Sequence, residues 1–340
     1  MRILILGVNG FIGHHLTAKI LTDTDWRVNG MDLQSDRLDG MTGHPRFTFV
    51  EGDISINKEW VEYQIKKADV IIPLVAIATP KVYLERPLSV FELDFEENLR
   101  IIRQAHKYRR RIVFPSSSEV YGMCKDKEFE EETSLLVMGP ISKERWIYSC
   151  CKQLLDRVIW AYGRQGLQFT IVRPFNWIGP KLDSLDTAKE GSSRVVTQFI
   201  ANLFMGAPVQ LVDGGTQRRC FSYVDDGISA LMKIIENRNR SASGKIFNIG
   251  HPGNDCSIHD LAYLLRDLFA QHPKIRGKRE VPPIIDVSAR QFYGEGYQDM
   301  QTRTPSVVQI QKCLGWTPTV DLKEALKRTL DAFLGENLSS

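Results

Sequence analysis

The chain has 340 residues, 43% apolar and 25% charged, and its 44 Lys and Arg against 41 Asp and Glu leave a net charge of +3. That length has room for two packed lobes, or for one large α/β domain with an appended lobe. The near-even charge supplies no electrostatic ground for a nucleic-acid or membrane-surface partner, and no apolar run approaches the roughly 20 residues of a bilayer span.

The opening "MRILILGVNG" holds an apolar run too short for a secretory core, so a cytoplasmic location is expected. Within it "RILILG" reads as a buried strand, and "FIGHHLTAKILT" has helical periodicity. "WRVNGMDL", "RFTFVEGD" and "ADVIIPLVA" read as the second, third and fourth strands. A long helix "SVFELDFEENLRIIRQAHKY", the strand "RIVFPS", the helix "RWIYSCCKQLLDRVIWAYG" and the strand "QFTIVRP" follow. Short apolar strands alternating with helices predict an α/β fold, a doubly wound parallel sheet of Rossmann type covered on both faces. Past Pro174 the pattern loosens: "NWIGPKLDSLDTAKEGSS" reads as a functional loop, then a helix over 193–205, the strand "PVQLVD", the helix "VDDGISALMKIIENR" and the strand "KIFNIG". The expected division is a dinucleotide-binding domain over 1–178, with 221–250 returning to it, and a smaller substrate lobe made of 179–220 and 251–340. The six cysteines lack C-x-x-C spacing and are expected to be reduced, and the seven histidines offer no ligand spacing, so no structural metal is expected.

Between the first strand and first helix stand Gly7, Gly10 and Gly13, spaced G-x-x-G-x-x-G. Glycines in that strand-turn-helix context let the backbone approach a pyrophosphate, whose charge the helix N-terminus stabilises. Asp32 ends the second strand 19 residues after Gly13, where an acid accepts bonds from a ribose and repels a 2′-phosphate; NAD is therefore expected over NADP. Asp53, ending the third strand, is placed to reach the adenine. Tyr148 and Lys152 are four apart on a helical segment and so face the same way. A lysine ammonium beside a tyrosine lowers a phenol pKa that is ordinarily about 10. Tyr148 is thereby a candidate base for an alcohol that yields hydride to NAD.

The series "GVNGFIG", "SSSEVYG", "YSCCK", "RPFNWIGP", "RCFSYVDD" and "NIG" resembles, in order and over nearly the whole chain, the extended short-chain dehydrogenase/reductases that act on nucleotide sugars. The resemblance implies oxidation of the sugar C4 alcohol, with Phe11, Ile12 and Ile54 joining the cofactor site. Dehydratases of the group place an acid before the glutamate of "EVYG", to protonate a departing hydroxyl. Here Ser117 and Ser118 precede Glu119, and serine is a poor donor to a leaving hydroxide, so dehydration is disfavoured.

With a C6 carboxylate on the substrate, oxidising C4 makes a β-keto acid that loses carbon dioxide. The enolate oxygen then needs Tyr148 and Ser117 or Ser118 to hold it, and C5 needs a proton. The stretches "EGDISI", "PLVAIATP", "VFELDFEENLRI", "SEVYGMC", "FNWIGP" and "YGEGYQD" are similar to the NAD-dependent UDP-glucuronic acid 4-decarboxylases, notably the decarboxylase halves of bifunctional polymyxin-resistance enzymes that modify lipid A with aminoarabinose. That likeness makes Glu119 and Arg303 the acid–base pair, although a guanidinium does not give up its proton readily. It also implies substrate contacts at Ala78, Tyr83, Arg145, Asn176, the segment Gln210 to Arg219, and Tyr297, with Arg218 and Arg219 as a diphosphate clamp. The family usually has threonine at position 117, and the formyltransferase half is not in this sequence, so the chain is expected to act alone on the sugar. The expected substrate is UDP-glucuronic acid and the expected products are UDP-4-keto-pentose, carbon dioxide and NADH. The alternative is a UDP-xylose synthase, which returns hydride to C4. A homodimer through "VFELDFEENLRIIRQ" and "IYSCCKQLLDRVIWAY" is also expected.

Overall fold

The computed structural model describes residues 1–294 and 298–338. β1 (Arg2–Leu6) is apolar on both faces, and Ile3 to Leu6 are at most 1% exposed, as a strand covered by helices on both sides must be. After it come α1 (Phe11–Asp23), β2 (Arg27–Asp32), β3 (Phe47–Glu51), α2 (Lys58–Lys67) and β4 (Val70–Pro73). Two short helices follow, α3 (Pro80–Glu85) and α4 (Pro87–Val90), each opened by a proline where the first turn needs no N–H donor. A π-helical turn, Phe91–Glu97, then runs into α5 (Asn98–Lys107). β5 (Arg111–Pro115), the 3-10 turn Ser118–Tyr121, α6 (Trp146–Arg164) and β6 (Phe169–Pro174) complete the first half.

The second half begins with β7 (Trp177–Ile178), α7 (Leu185–Lys189), α8 (Val195–Met205), β8 (Val209–Val212), β9 (Arg218–Cys220) and β10 (Ser222–Tyr223). It continues through α9 (Val224–Glu236), β11 (Lys245–Ile249), β12 (Asp255–Ser257), α10 (Ile258–Gln271), β13 (Ile284–Val287), α11 (Ala289–Tyr293), α12 (Val308–Leu314) and α13 (Leu322–Leu338).

Seven strands form one parallel sheet in the order β11-β6-β5-β4-β1-β2-β3. The chain winds outward from β1 to β3 and then resumes on the other side at β4. The resulting crevice at the carboxyl ends of β1 and β4 is where a doubly wound sheet binds its ligand. β11 extends the sheet beside β6, and α9 packs on α1. Beyond the sheet, β7 pairs with β10, β8 with β13, and β9 antiparallel with β12.

One core joins α1 (Leu16, Ile20) and α9 (Ile228, Leu231) to α8, α10 and α13 (Phe199, Leu265, Leu330); the other packs α5 and α6 (Ile101, Ile102, Leu155, Ile159) on the opposite face. Each such side chain contributes about 1.5–3 kcal/mol when fully buried. α2 was not among the predicted elements, because only Val61 and Ile65 of its ten residues are buried and the apolar stripe is too thin to read. The predicted loop after Pro174 contains α7, started by a capping box between Ser184 and Thr187.

Candidate active site

The glycine turn sits at the head of the crevice. Gly7 adopts φ +86°, and a Cβ there would lie 3.0 Å from the backbone of Leu74 and Val75 at the end of β4. A Cβ on Gly13 would approach Gly7 O to 2.4 Å, so only glycine lets α1 start this close to the turn. Gly10 caps α1 without a side-chain acceptor, which leaves the first-turn N–H groups of Phe11 and Ile12 for an anion. The Phe11 side chain turns into the core, with the Arg194 guanidinium 5.7 Å over its ring, so its share in a cofactor site is the backbone N–H.

Asp32 accepts from the backbone N–H of Asn9 and of Leu33, both at 2.8 Å. Burial pushes its carboxyl up, against those bonds. The Arg37 guanidinium donates to the Lys181 carbonyl at 3.1 Å, and its charge opposes the rise of the Asp32 carboxyl. One oxygen of Asp53 accepts from both the N–H and the hydroxyl of Ser55 at 2.7 Å, so this acid also builds its own turn. Ile54 is buried beside it, and its carbonyl accepts from Arg100 at 2.7 Å. An open helix N-terminus, a close-approach turn and an acid at the end of β2 together fit a dinucleotide lacking a 2′-phosphate.

Tyr148 and Lys152 are both buried on α6, as the four-residue spacing requires. Lys152 Nζ donates to the Pro115 carbonyl at 3.0 Å and lies 5.8 Å from the Tyr148 ring centre. Burial pushes the Tyr148 phenol well up, Asp94 adds to this, and a hydrogen bond with Ser117 opposes it. Burial pulls the Lys152 ammonium down, opposed by Asp94 and Asp156. Tyr83 stacks on Tyr148 with ring centres 4.9 Å apart, while Ala78 lies exposed on the loop before α3.

The two serines have separate partners. Ser117 caps the 3-10 turn, accepting from Glu119 N at 3.1 Å, and faces Tyr148. Ser118, 1% exposed, instead accepts from Arg303 Nη1 at 3.3 Å. Of the two hydroxyls the sequence offered, Ser117 is therefore the one beside Tyr148.

Glu119 is held by two guanidiniums. Arg145 Nη1 donates to its Oε2 at 2.6 Å and Arg303 Nη2 to its Oε1 at 2.6 Å, while the Ser149 hydroxyl stands 3.4 Å from Oε2. Burial alone would push this carboxyl up, but Arg145 and Arg303 outweigh it and hold Glu119 well below the usual carboxylate range. Asp299 Oδ1 lies 3.6 Å from Arg145 and 2.7 Å from Arg219, so charges alternate along Arg219, Asp299, Arg145, Glu119 and Arg303.

Arg218 and Arg219 do not form one clamp. They are consecutive on β9, so their side chains leave opposite faces; Arg218 pairs with Asp255 at 2.7 Å near the surface. Asn176, at φ +41°, donates its amide to the Cys220 carbonyl at 3.2 Å and ties β9 to the end of β6. Gln210 is exposed on β8, beside Ile285 of β13. Tyr297 lies outside the described residues. Sequence reasoning missed Asp94, Ser149 and Asp299. Asp94 was detectable in principle: with Val90 and Asn98 it falls on the buried stripe of its helix, where an acid is out of place.

Residues 3–250 match the NAD dependent epimerase/dehydratase family. The structure is similar to that of PbgP3 protein from Burkholderia pseudomallei, at 54% identity and a TM-score of 0.89, covering 99% of this chain and 97% of that one. It also superposes on UDP-glucuronic acid 4-epimerase from Bacillus cereus (20% identity, TM-score 0.82, 99% and 100% covered) and on UDP-glucose 4-epimerase from Thermotoga maritima (22%, 0.79, 99% and 99%). The glycine turn, the Tyr148–Lys152 pair and a match over most of its length place this chain in the NAD-dependent epimerase/dehydratase family, as an enzyme whose cofactor is NAD.

Proposed function

We propose that the enzyme oxidises and decarboxylates UDP-glucuronic acid, giving UDP-4-keto-pentose, carbon dioxide and NADH, for the aminoarabinose modification of lipid A. The observation that carries this reading is Glu119 standing between the guanidiniums of Arg145 and Arg303, with a serine rather than a second acid beside it. Two buried cations at the end of β5 suit a sugar that brings its own carboxylate. The likeness to PbgP3 supports the reading, and the shared fold with an epimerase studied with UDP-glucuronic acid and NAD is compatible with it.

Tyr148, steadied by Ser117 and by the Lys152 ammonium, takes the proton from the C4 hydroxyl. NAD, when bound in the glycine turn, supplies the acceptor for the two electrons and hydrogen leaving C4. In the resulting β-keto acid the C5–C6 bond breaks and its electron pair moves into the C4 carbonyl. The Tyr148 hydroxyl, now protonated, stabilises that oxygen. A proton then returns to C5, so the proton taken from the C4 hydroxyl balances the one delivered. Ionised between two arginines, Glu119 cannot donate; a substrate carboxylate competing for Arg145 and Arg303 loosens that hold and returns it toward protonation. We further propose Arg219, at the far end of the charge chain, as a contact for the diphosphate. We also propose a homodimer through α5 and α6, where Leu154 and Trp160 are 48% and 41% exposed, and a cytoplasmic location. Among the described residues no helix is long and apolar enough to cross a membrane.

The test is incubation with NAD and UDP-glucuronic acid, following nicotinamide absorbance and identifying the sugar. Carbon dioxide with equimolar NADH and a 4-keto-pentose supports the proposal. UDP-xylose without NADH build-up shows that the hydride returns, and UDP-galacturonic acid without carbon dioxide overturns decarboxylation.

A further inference from the structure

Asp94 is 0% exposed, sits in the π-helical turn Phe91–Glu97, and is packed against α6, which carries Tyr148 and Lys152. Its Oδ1 accepts from Ile77 N at 2.8 Å, clamping the loop that leads from β4 to Ala78 and Tyr83. Its Oδ2 has no hydrogen-bond partner among the described residues. A buried carboxylate oxygen left this way is costly and demands a compensating charge. The charged group that acts most on it is Lys152. Tyr148 and Cys151 from α6 and Tyr83 from α3 also feel its field. α4 carries no titratable side chain, and α5, which continues the helix, adds only the uncharged Asn98 on this face. Lys152 in turn spends one of its three donors on the Pro115 carbonyl, and Asp156 is the second acid acting on it.

A lysine beside the base would by itself draw Tyr148 to its phenolate whether or not a cofactor were present. Asp156 is neutralised by Arg173 at 2.9 Å, and Asp94, which burial raises to about 6, is ionised at neutral pH; the remaining set of Asp94, Lys152 and neutral Tyr148 then has no net charge, and removing the phenol proton leaves it at minus one. Creating net charge in a site closed to water is strongly unfavourable. A nearby positive charge restores the balance.

We propose that Asp94 is a positioning residue that acts as counterweight to Lys152, keeping Tyr148 protonated until the oxidised nicotinamide brings its positive charge to the site. The inference rests on Tyr148 being the base and not on what happens to the sugar after C4 is oxidised. It explains why a carboxylate is buried within the field of Lys152 in a place where an amide would clamp the loop equally well. The base is then released only in the complex that can accept the hydride, and a proton is not lost to solvent beforehand.

The test reads tyrosine ionisation directly, with no substrate. Ultraviolet difference titration of the free enzyme, with a Tyr148→Phe variant subtracted, isolates Tyr148. Asp94→Asn keeps the acceptor for Ile77 N and removes the charge, so Tyr148 should ionise at least about tenfold more readily, one pH unit lower. Saturating NAD should lower the ionisation pH by a further step in the wild type and in Asp94→Asn alike, because the two charges act on Tyr148 additively. Should Asp94→Asn fail to fold by circular dichroism, Asp94→Ser, whose hydroxyl can still accept from the loop, carries the same comparison. Equal titration of wild type and variant without NAD, or no NAD shift in the wild type, overturns the counterweight. Absence of any signal that Tyr148→Phe removes overturns Tyr148 as the base, a separate failure. Neither result depends on whether the sugar is decarboxylated.

Discussion

Replacing Glu119 with glutamine removes the one negative charge that separates two buried guanidiniums. Arg145 and Arg303 have side chains only 2% and 6% exposed, and each approaches Glu119 to 2.6 Å. Unit charges about 4 Å apart attract by about 4 kcal/mol at an effective dielectric of 20, and desolvation returns much of this. Removing one partner of a buried pair nonetheless costs about 3–5 kcal/mol, because the remaining charges stay behind unpaired. Glutamine keeps a carbonyl acceptor for one arginine, and Asp299 still neutralises part of Arg145, so the lower end, about 3 kcal/mol at neutral pH, is expected. Since Glu119 is held below the usual carboxylate range, its contribution is fully present above the unfolded value of about 4.3 and is lost as pH falls toward the folded value. Thermal midpoints of Glu119→Gln and wild type should thus differ most at neutral pH and converge below about pH 4. For chemistry, loss of a positioned acid–base group costs about 10²- to 10⁴-fold. Carbon dioxide release should fall by that factor while NAD affinity, measured by titration calorimetry, is unchanged. Carbon dioxide release within about threefold of wild type would refute the role given to Glu119.

Three further outcomes follow from the geometry. Gly13→Ala places a methyl group 2.4 Å from the Gly7 carbonyl, so α1 must move, and NAD binding by calorimetry should weaken at least about tenfold while the protein still folds. Asp32→Ala removes the acid that repels a 2′-phosphate, and the kcat/KM ratio of NADP to NAD should rise at least about tenfold; no change would show that discrimination lies elsewhere. Glu131 accepts from Asn248 N at 2.8 Å, and burial raises its carboxyl from 4.5 to about 7. An acid raised in this way keeps in the folded state a proton that the unfolded chain has released, so stability falls as pH rises from about 4.5 and levels off above about 7. Glu131→Gln, which retains the acceptor, should raise the thermal midpoint at pH 8 and leave it unchanged at pH 4; equal shifts at both would sink the titration argument.

The strand-helix alternation, the glycine turn with Asp32, and the Tyr148–Lys152 pair were all determined by the sequence itself. Each depends on spacing inside one or two neighbouring elements, where the strand repeat, the helix repeat and the steric demand of a turn translate residue number directly into direction. Glu119 and Arg303 were named from resemblance, but their contact at 2.6 Å spans 184 residues and belongs to no local pattern. Arg145 and Asp299 become their neighbours only because the 3-10 turn after β5, the start of α6 and the segment after α11 converge at the carboxyl end of the sheet. Tertiary structure likewise decided that Ser117 and not Ser118 faces Tyr148, that Arg218 and Arg219 part company on β9, and that Asp94 lies buried against the Tyr148–Lys152 helix. Pairings across the chain are set by which faces must be buried together and by how far apart loops allow charges to remain, and residue spacing carries neither quantity.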